Sequence, residues 1–423
     1  MTPANLLAAI LIVSFAIALG LLFKLRRQWI ALAIVLAFLL RVFVAYVLAG
    51  DLEYTFVIDS LEYEMKGWYL VQPWISSDTK MGFSEGHINN FNLYDHFLGF
   101  IYNLFGNHSF IAPICNCFFA TLCIFFMYRI SKDFLSDSQN EAPRKSMLWT
   151  VCLAGLYPSF IVWSATNIRD PLYFLSCMAF FYFFLAAFSH RQKTSFPYRF
   201  LMFSLSLFCL WLVFGLRAYI MNLLLITILI GIIVHATTLL SNWKRAIFGL
   251  GFASVIGAIL AQSLIPEQMD KLFTGLAEQR MSFSNTGLAD LYAKSSFALD
   301  QQFNSVSDLL FFLPTSLSHY FFGPFPWEIN SVVQAISLIE AFAVYVMAYP
   351  TIIGIKRAYQ RAPFETTILL CFVAIFAVAQ SVVISNMGTI YRHRTLPFLV
   401  LLIFSGEGIY EIAKKNTPAF FKT

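Results

Sequence analysis

The sequence predicts an all-α protein that crosses a membrane many times, and three observations carry that prediction. Of 423 residues, 59% are hydrophobic and only 12% are charged, against roughly 25% charged in a soluble domain. Several apolar runs reach the ~20 residues that cross a hydrocarbon core. Basic residues recur in every second loop, the pattern that fixes loops in the cytoplasm. The formal charge of +5 lies in those loops, so it sets topology and does not point to nucleic acid.

About eleven spans are expected, near 4–23, 29–49, 108–128, 146–164, 171–189, 200–216, 219–238, 246–265, 331–355, 365–385 and 395–412. The first has neither a basic start nor a small-residue cleavage site, so it reads as a retained span and not as a signal peptide. Lys24, Arg26 and Arg27 follow the first span. Arg129, Lys132, Arg144 and Lys145 follow the third, and Arg191, Lys193 and Arg199 the fifth. Lys244 and Arg245 follow the seventh, Lys356, Arg357 and Arg361 the ninth, and Lys414, Lys415 and Lys422 the last. This alternation puts the C-terminus in the cytoplasm. The chain 1–423 reads as a single integral membrane domain.

Two long loops, Gly50–Asn107 and Pro266–Asn330, then fall on the outer side. Both are aromatic and amphipathic. In Asn92–Phe105, Leu93, Phe97, Phe100, Ile101 and Leu104 share one helical face and Asp95, His96 and Asn103 another. That pattern predicts a helix lying on the membrane surface. Gln301–Leu313 repeats it through Phe303, Val306, Leu309, Leu310 and Leu313.

The candidate functional residues lie on this outer side. Asp59 follows the second span, with Asp51 and Glu53 before it and Glu62 and Glu64 after it. It suits a helix N-cap or first turn, and equally a general base or a metal-binding carboxylate. Arg41 lies inside the second span, where a cation costs roughly 2.5–3.5 kcal/mol on insertion scales. It either pairs with an acid such as Glu340, snorkels outward, or contacts a phosphate or carboxylate. Arg169 and Asp170 sit in the short link between spans four and five, just before Pro171. They pair with each other, cap the next helix, or line a cavity. Arg217 occupies the link between spans six and seven. His319 precedes the rigid Phe322–Glu328 segment, where Trp327 is either a membrane-interface residue or a stacking platform. Arg392, His393 and Arg394 lie in the last outer link, against the positive-inside trend, and are the foremost anion-binding candidates.

The seven cysteines (115, 117, 123, 152, 177, 209 and 371) all sit in apolar segments and read as small buried hydrophobes. There is no G-x-x-x-x-G-K-[ST], H-E-x-x-H or G-x-S-x-G, which excludes a P-loop nucleotide hydrolase, a zincin and a nucleophile-elbow hydrolase.

Taken in order, these features resemble the GT-C superfamily of polytopic glycosyltransferases, in the bacterial branch related to protein mannosyltransferases and lipid A aminoarabinose transferases. The residues that carry the likeness are Asp59 with Tyr63, the segment ending Tyr102-Asn103-Leu104-Phe105-Gly106, Tyr157-Pro158-Ser159 leading to Arg169-Asp170, Leu216-Arg217-Ala218-Tyr219, and the terminal Arg392-x-Arg394. The resemblance implies transfer of a sugar from a polyprenyl-phosphate or diphosphate carrier to an acceptor saccharide, lipid or protein. This would occur on the periplasmic face of a bacterial inner membrane. By the same resemblance Asp59 would be the catalytic acid/base, and Arg217, Arg392 and Arg394 would contact the carrier phosphate. Many members carry two adjacent acids where this chain has Asp59-Ser60. A magnesium or manganese ion on Asp59 is therefore weakly supported. Two other readings suit outer-face arginines: a polymerase of undecaprenyl-diphosphate-linked repeat units, and a flippase of lipid-linked saccharides. The flippase predicts charges spread through the spans, whereas here the polar groups gather at one surface.

Overall fold

The computed structural model describes residues 28–49, 51–75, 92–106, 108, 110–135, 143–189, 194–238, 305–329 and 332–416, with short pieces at 11–15, 17, 274–276, 278–280, 301 and 303. The described residues are about 91% helical, with no strand among them. Eight described helices are long and apolar enough to cross a membrane, and a bent pair, 145–156 with 158–164, makes a ninth. Two of the expected eleven spans, 246–265 and most of 4–23, lie outside the described residues.

The chain divides into two compact units, residues 1–222 with 402–423, and residues 223–401. In the first unit the helices are α1 (Gln28–Leu48), α2 (Asp51–Phe56), α3 (Ile58–Ile75), α4 (Leu93–Phe105), α5 (Ile111–Ile130), α6 (Pro143–Leu156), α7 (Pro158–Ser164), α8 (Asp170–Phe188) and α9 (Phe196–Leu216). α10 (Ala218–Thr238) begins here. α5 and α8 form the core and are mostly buried, whereas α9 is largely exposed along its apolar length. A lipid-facing helix needs no protein cover.

Local sequence sets the breaks. Pro158, Pro171 and Pro197 each stand in a helical first turn, where a missing N–H costs nothing. The residue before a proline is pushed out of the α region. Tyr157 accordingly adopts φ −66°, ψ 114°, and the expected single span 146–164 bends by 58°. Pro158 cannot donate to the Ala154 carbonyl, and the bend also frees that of Gly155. Arg41 fills this gap. Its Nη1 donates to Gly155 O at 3.0 Å and Ala37 O at 2.9 Å, and its Nη2 to Ala154 O at 3.1 Å. Its guanidinium also lies 4.7 Å from the Phe160 ring centroid. Arg41 is thus a buried cap for a proline break. Of the partners weighed for it, Arg41 takes these carbonyls, while Glu340 lies 2.8 Å from Arg394.

α3 and α4 pack side by side, with Tyr63 beside Tyr94 and Trp68 beside Tyr102. A Cβ on Gly67 would stand 2.6 Å from Leu98 Cβ, so only glycine permits this approach. The α4 start is a capping box. Asn92 Oδ1 accepts from Tyr94 N–H at 2.8 Å and Asp95 N–H at 3.3 Å, while Asp95 Oδ2 accepts from Asn92 N–H at 2.8 Å. The helix expected at Asn92–Phe105 exists, with part of its apolar stripe turned outward. Tyr94, Asp95, Leu98, Ile101 and Tyr102 are buried, while Phe100 and Leu104 are exposed. The tyrosine hydroxyls and Asp95 find partners inside the protein.

In the second unit, α11 (Val306–Phe322), α12 (Val332–Arg361) and α13 (Pro363–Val383) precede α14 (Met387–Asn416), whose last part belongs to the first unit. α11 and α12 both pack on α13. Within the expected amphipathic segment, Phe303 and Phe312 are buried together against Leu309, while Leu310 is exposed. Arg280 Nη1 donates to Val382 O at 2.7 Å, and Ser385 Oγ donates to Arg280 O at 2.8 Å. This pair of bonds caps the C-terminal end of α13, whose last carbonyls have no helical partner.

Candidate functional site

Three chain turns of the first unit meet at one end of its helices. The link 165–169 joins α7 to α8, Arg217 joins α9 to α10, and α2–α3 follow α1. No regular secondary structure holds the 165–169 link; side chains hold it. Asn116 Nδ2 faces Thr166 O at 2.7 Å, Ile168 O at 2.8 Å and Tyr94 OH at 2.8 Å. Tyr94 OH donates to Asn167 Oδ1 at 2.9 Å, and Asn167 Nδ2 donates to Tyr102 OH at 3.3 Å. The Asn167 backbone N–H donates to Glu53 Oε1. Burial raises both tyrosine hydroxyls above their ordinary value, so they remain neutral.

The clamp presents Arg169 and Asp170. Asp170 opens α8, where the helix dipole favours an anion. Its partner is not Arg169 but Arg217, whose Nη2 lies 3.3 Å from Oδ1 and 3.4 Å from Oδ2. Arg217 Nη1 also donates to Tyr219 OH at 2.9 Å, and its guanidinium lies 5.0 Å from the Tyr173 ring centroid. Arg169 Nη1 donates to Leu216 O at 3.1 Å, the end of α9. The two short links are therefore cross-tied. Arg169 is half-buried, lies 5.9 Å from the Tyr63 ring centroid, and has no carboxylate within salt-bridge distance among the described residues. Its Nε is buried without a hydrogen bond.

Four acids on α2, α3 and α4 belong to the same unit, and one of them, Asp95, couples electrostatically to Arg169. Asp59 is exposed in the first turn of α3, one turn before Tyr63. Asp95 is buried. Burial raises its carboxyl above the ordinary range, opposed by the Asn92 N–H and by Lys66 and Arg169. Its Oδ1 has no hydrogen bond. Glu62 is paired with Lys66 at 2.6 Å. Glu53 is buried, and burial pushes its carboxyl up to about 7 against the pull of the Asn167 N–H. The sequence presents Glu53 only as one of several loop acids, and nothing in its spacing marks it as buried. No three His, Cys, Asp or Glu side chains gather as a metal-ligand set among the described residues.

The remaining candidates belong to the second unit. Arg394 is fully buried. Its Nη2 donates to Glu340 Oε1 at 2.8 Å and its Nη1 to Gly323 O at 2.7 Å, and its guanidinium lies 4.6 Å from the Tyr391 ring centroid. His393 is buried with Nδ1 2.8 Å from Gln380 Oε1. Arg392 is half-buried. His319 stands 2.9 Å from Glu328 Oε1 and 2.8 Å from Thr315 O. Trp327 is 78% exposed on one side of Phe325, with ring centroids 5.0 Å apart and planes 1° apart. Of the foremost anion-binding trio, Arg394 is committed to a structural ion pair.

Searches of protein-family models and of curated proteins return no match to this chain.

Proposed function

We infer that this membrane protein transfers a sugar from a polyprenyl-phosphate carrier to an acceptor hydroxyl, with Arg169 as the phosphate contact and Asp59 as the base. The observation that carries the reading is Arg169. It is a half-buried guanidinium in a rigidly clamped link, stacked beside Tyr63, with no carboxylate of its own. A phosphate oxygen satisfies such a group with charge-assisted hydrogen bonds. Basic residues Lys132, Lys145 and Arg199 lie toward the opposite helix ends, so the positive-inside rule supports an outer position for Arg169.

In this reaction the acceptor oxygen attacks the anomeric carbon as the bond from that carbon to the phosphate oxygen breaks. The phosphate leaves with the electron pair, and its charge falls to Arg169. The hydroxyl proton passes to Asp59, which as an exposed carboxylate is open to an acceptor arriving from water. Arg217 is neutralised by Asp170 and supports the link that carries Arg169. Arg41 and Glu340, two of the charges within the spans, are both committed to internal bonds. That commitment favours chemistry at one surface over translocation.

The reading is tested with Asp59→Asn in membranes supplied with polyprenyl-linked sugars. A general base contributes about 10²–10⁴-fold, so glycan product is expected to fall at least about 100-fold at equal expression. Turnover equal to the parent removes Asp59 from the reaction.

A further inference from the structure

The group most at odds with its surroundings is Glu53. Its Oε1 accepts the backbone N–H of Asn167, two residues before Arg169. The titratable groups that face it are Glu64 on α3, Tyr94 and Tyr102 on α4, and Cys117 on α5. Every one is an acid. No cation lies within salt-bridge distance of Glu53 among the described residues, and Glu64 is itself held by the Tyr54 hydroxyl. An ionised Glu53 is therefore a buried charge without a counter-ion, next to another carboxylate. Such a charge is costly, and burial favours the neutral form.

We propose that Glu53 is a positioning residue whose charge governs how well Arg169 holds an anion; this rests on the reading of Arg169 as a phosphate contact. With Glu53 neutral, its carbonyl oxygen accepts the Asn167 N–H and the link stays closed. When Glu53 ionises, the uncompensated charge draws water into the clamp. It also adds a negative potential near the anion that Arg169 binds. Both effects weaken phosphate binding.

The linkage has a defined sign. A carboxyl raised from 4.5 to about 7 in the folded protein contributes stability that is complete below about 4.5. That stability is lost as pH rises through about 7. Glu53→Gln keeps an acceptor oxygen for the Asn167 N–H and never ionises.

The test compares undecaprenyl phosphate binding to the wild type and Glu53→Gln in detergent, from about pH 5.5 to about pH 8.5. The ligand's own titration is common to both proteins, so their affinity ratio isolates Glu53. The ratio is expected to fall about threefold or more across the range, with the thermal-unfolding midpoint of the wild type falling relative to that of Glu53→Gln. Glu64→Gln removes the neighbouring charge and is expected to move the wild-type transition to lower pH. A merely structural carboxyl would move the unfolding midpoint but leave the affinity ratio flat. A flat ratio overturns the proposal. Arg169→Gln separates the two ideas: if it binds like the wild type, the anion reading itself fails and the proposal falls with it. If Arg169→Gln is weak and the ratio flat, only the role of Glu53 fails.

Discussion

Asp170→Ala is expected to destabilise the protein by about 3–5 kcal/mol, because removing one partner of a buried ion pair leaves the other charge uncompensated. Asp170 is fully buried and Arg217 nearly so. In the variant, Arg217 keeps Tyr219 OH and the Tyr173 ring, neither of which carries opposite charge. The Arg217 link and the α8 start would also separate, since Arg169 bonds only the Leu216 carbonyl across this junction. Asp170→Ala with Arg217→Met removes both charges, and replacing a buried pair by apolar groups is often close to neutral. The double variant is therefore expected to recover most of the loss. Unfolding in mixed micelles, run as a double-mutant cycle, measures both values. Additive losses would mean that the pair is not coupled.

Glu340→Ala is expected to cost a similar ~3–5 kcal/mol through the second unit. Arg394 is fully buried, and its Nη2 lies 2.8 Å from the Glu340 carboxylate. What stays is the Gly323 carbonyl at 2.7 Å and the faces of Tyr391 and Phe398. The Gly323 bond ties α14 to the segment that carries Phe325 and Trp327, so the loss extends to that segment. Glu340→Ala with Arg394→Met is expected to be much closer to the parent. The same melting measurement decides it, with trypsin cleavage in the 323–329 segment as a local readout. A stable single variant would show that Arg394 does not depend on Glu340. The prediction also separates Arg394 from Arg169: the first guanidinium holds a buried ion pair, and the second is the proposed phosphate contact.

Much of the helical architecture was legible, because a bilayer demands long apolar runs and those are visible in any single chain. Pro158 announces the bend at Tyr157, yet an apolar run of the right length reads as one span until the geometry shows α6 and α7 apart. Pairings were less legible. Arg41 is conspicuous in sequence, but its partners are carbonyls 113 and 114 residues away, and backbone acceptors leave no trace in residue identity. Glu340 was visible as an intramembrane acid, while its choice of Arg394 over Arg41 depends on which helices meet. On α4, polarity marks a stripe but does not say which polar groups find partners. Tyr94, Tyr102 and Asp95 find them. Asp59, Arg169, Asp170 and Arg217 were all visible as charges near span ends. The cross-tie between Asp170 and Arg217, and the burial of Glu53 against Asn167, required the fold.

The central claim is that Arg169 holds a polyprenyl phosphate. Native mass spectrometry of the purified protein with undecaprenyl phosphate tests it directly. Charge-assisted hydrogen bonds contribute about 1.5–3 kcal/mol each, and ~1.4 kcal/mol is tenfold in affinity. Arg169→Ala is therefore expected to lose at least about tenfold in retained lipid. Lys132→Ala, at the opposite end of α5, is expected to retain it as the wild type does. Equal retention by the wild type and both variants would contradict the account.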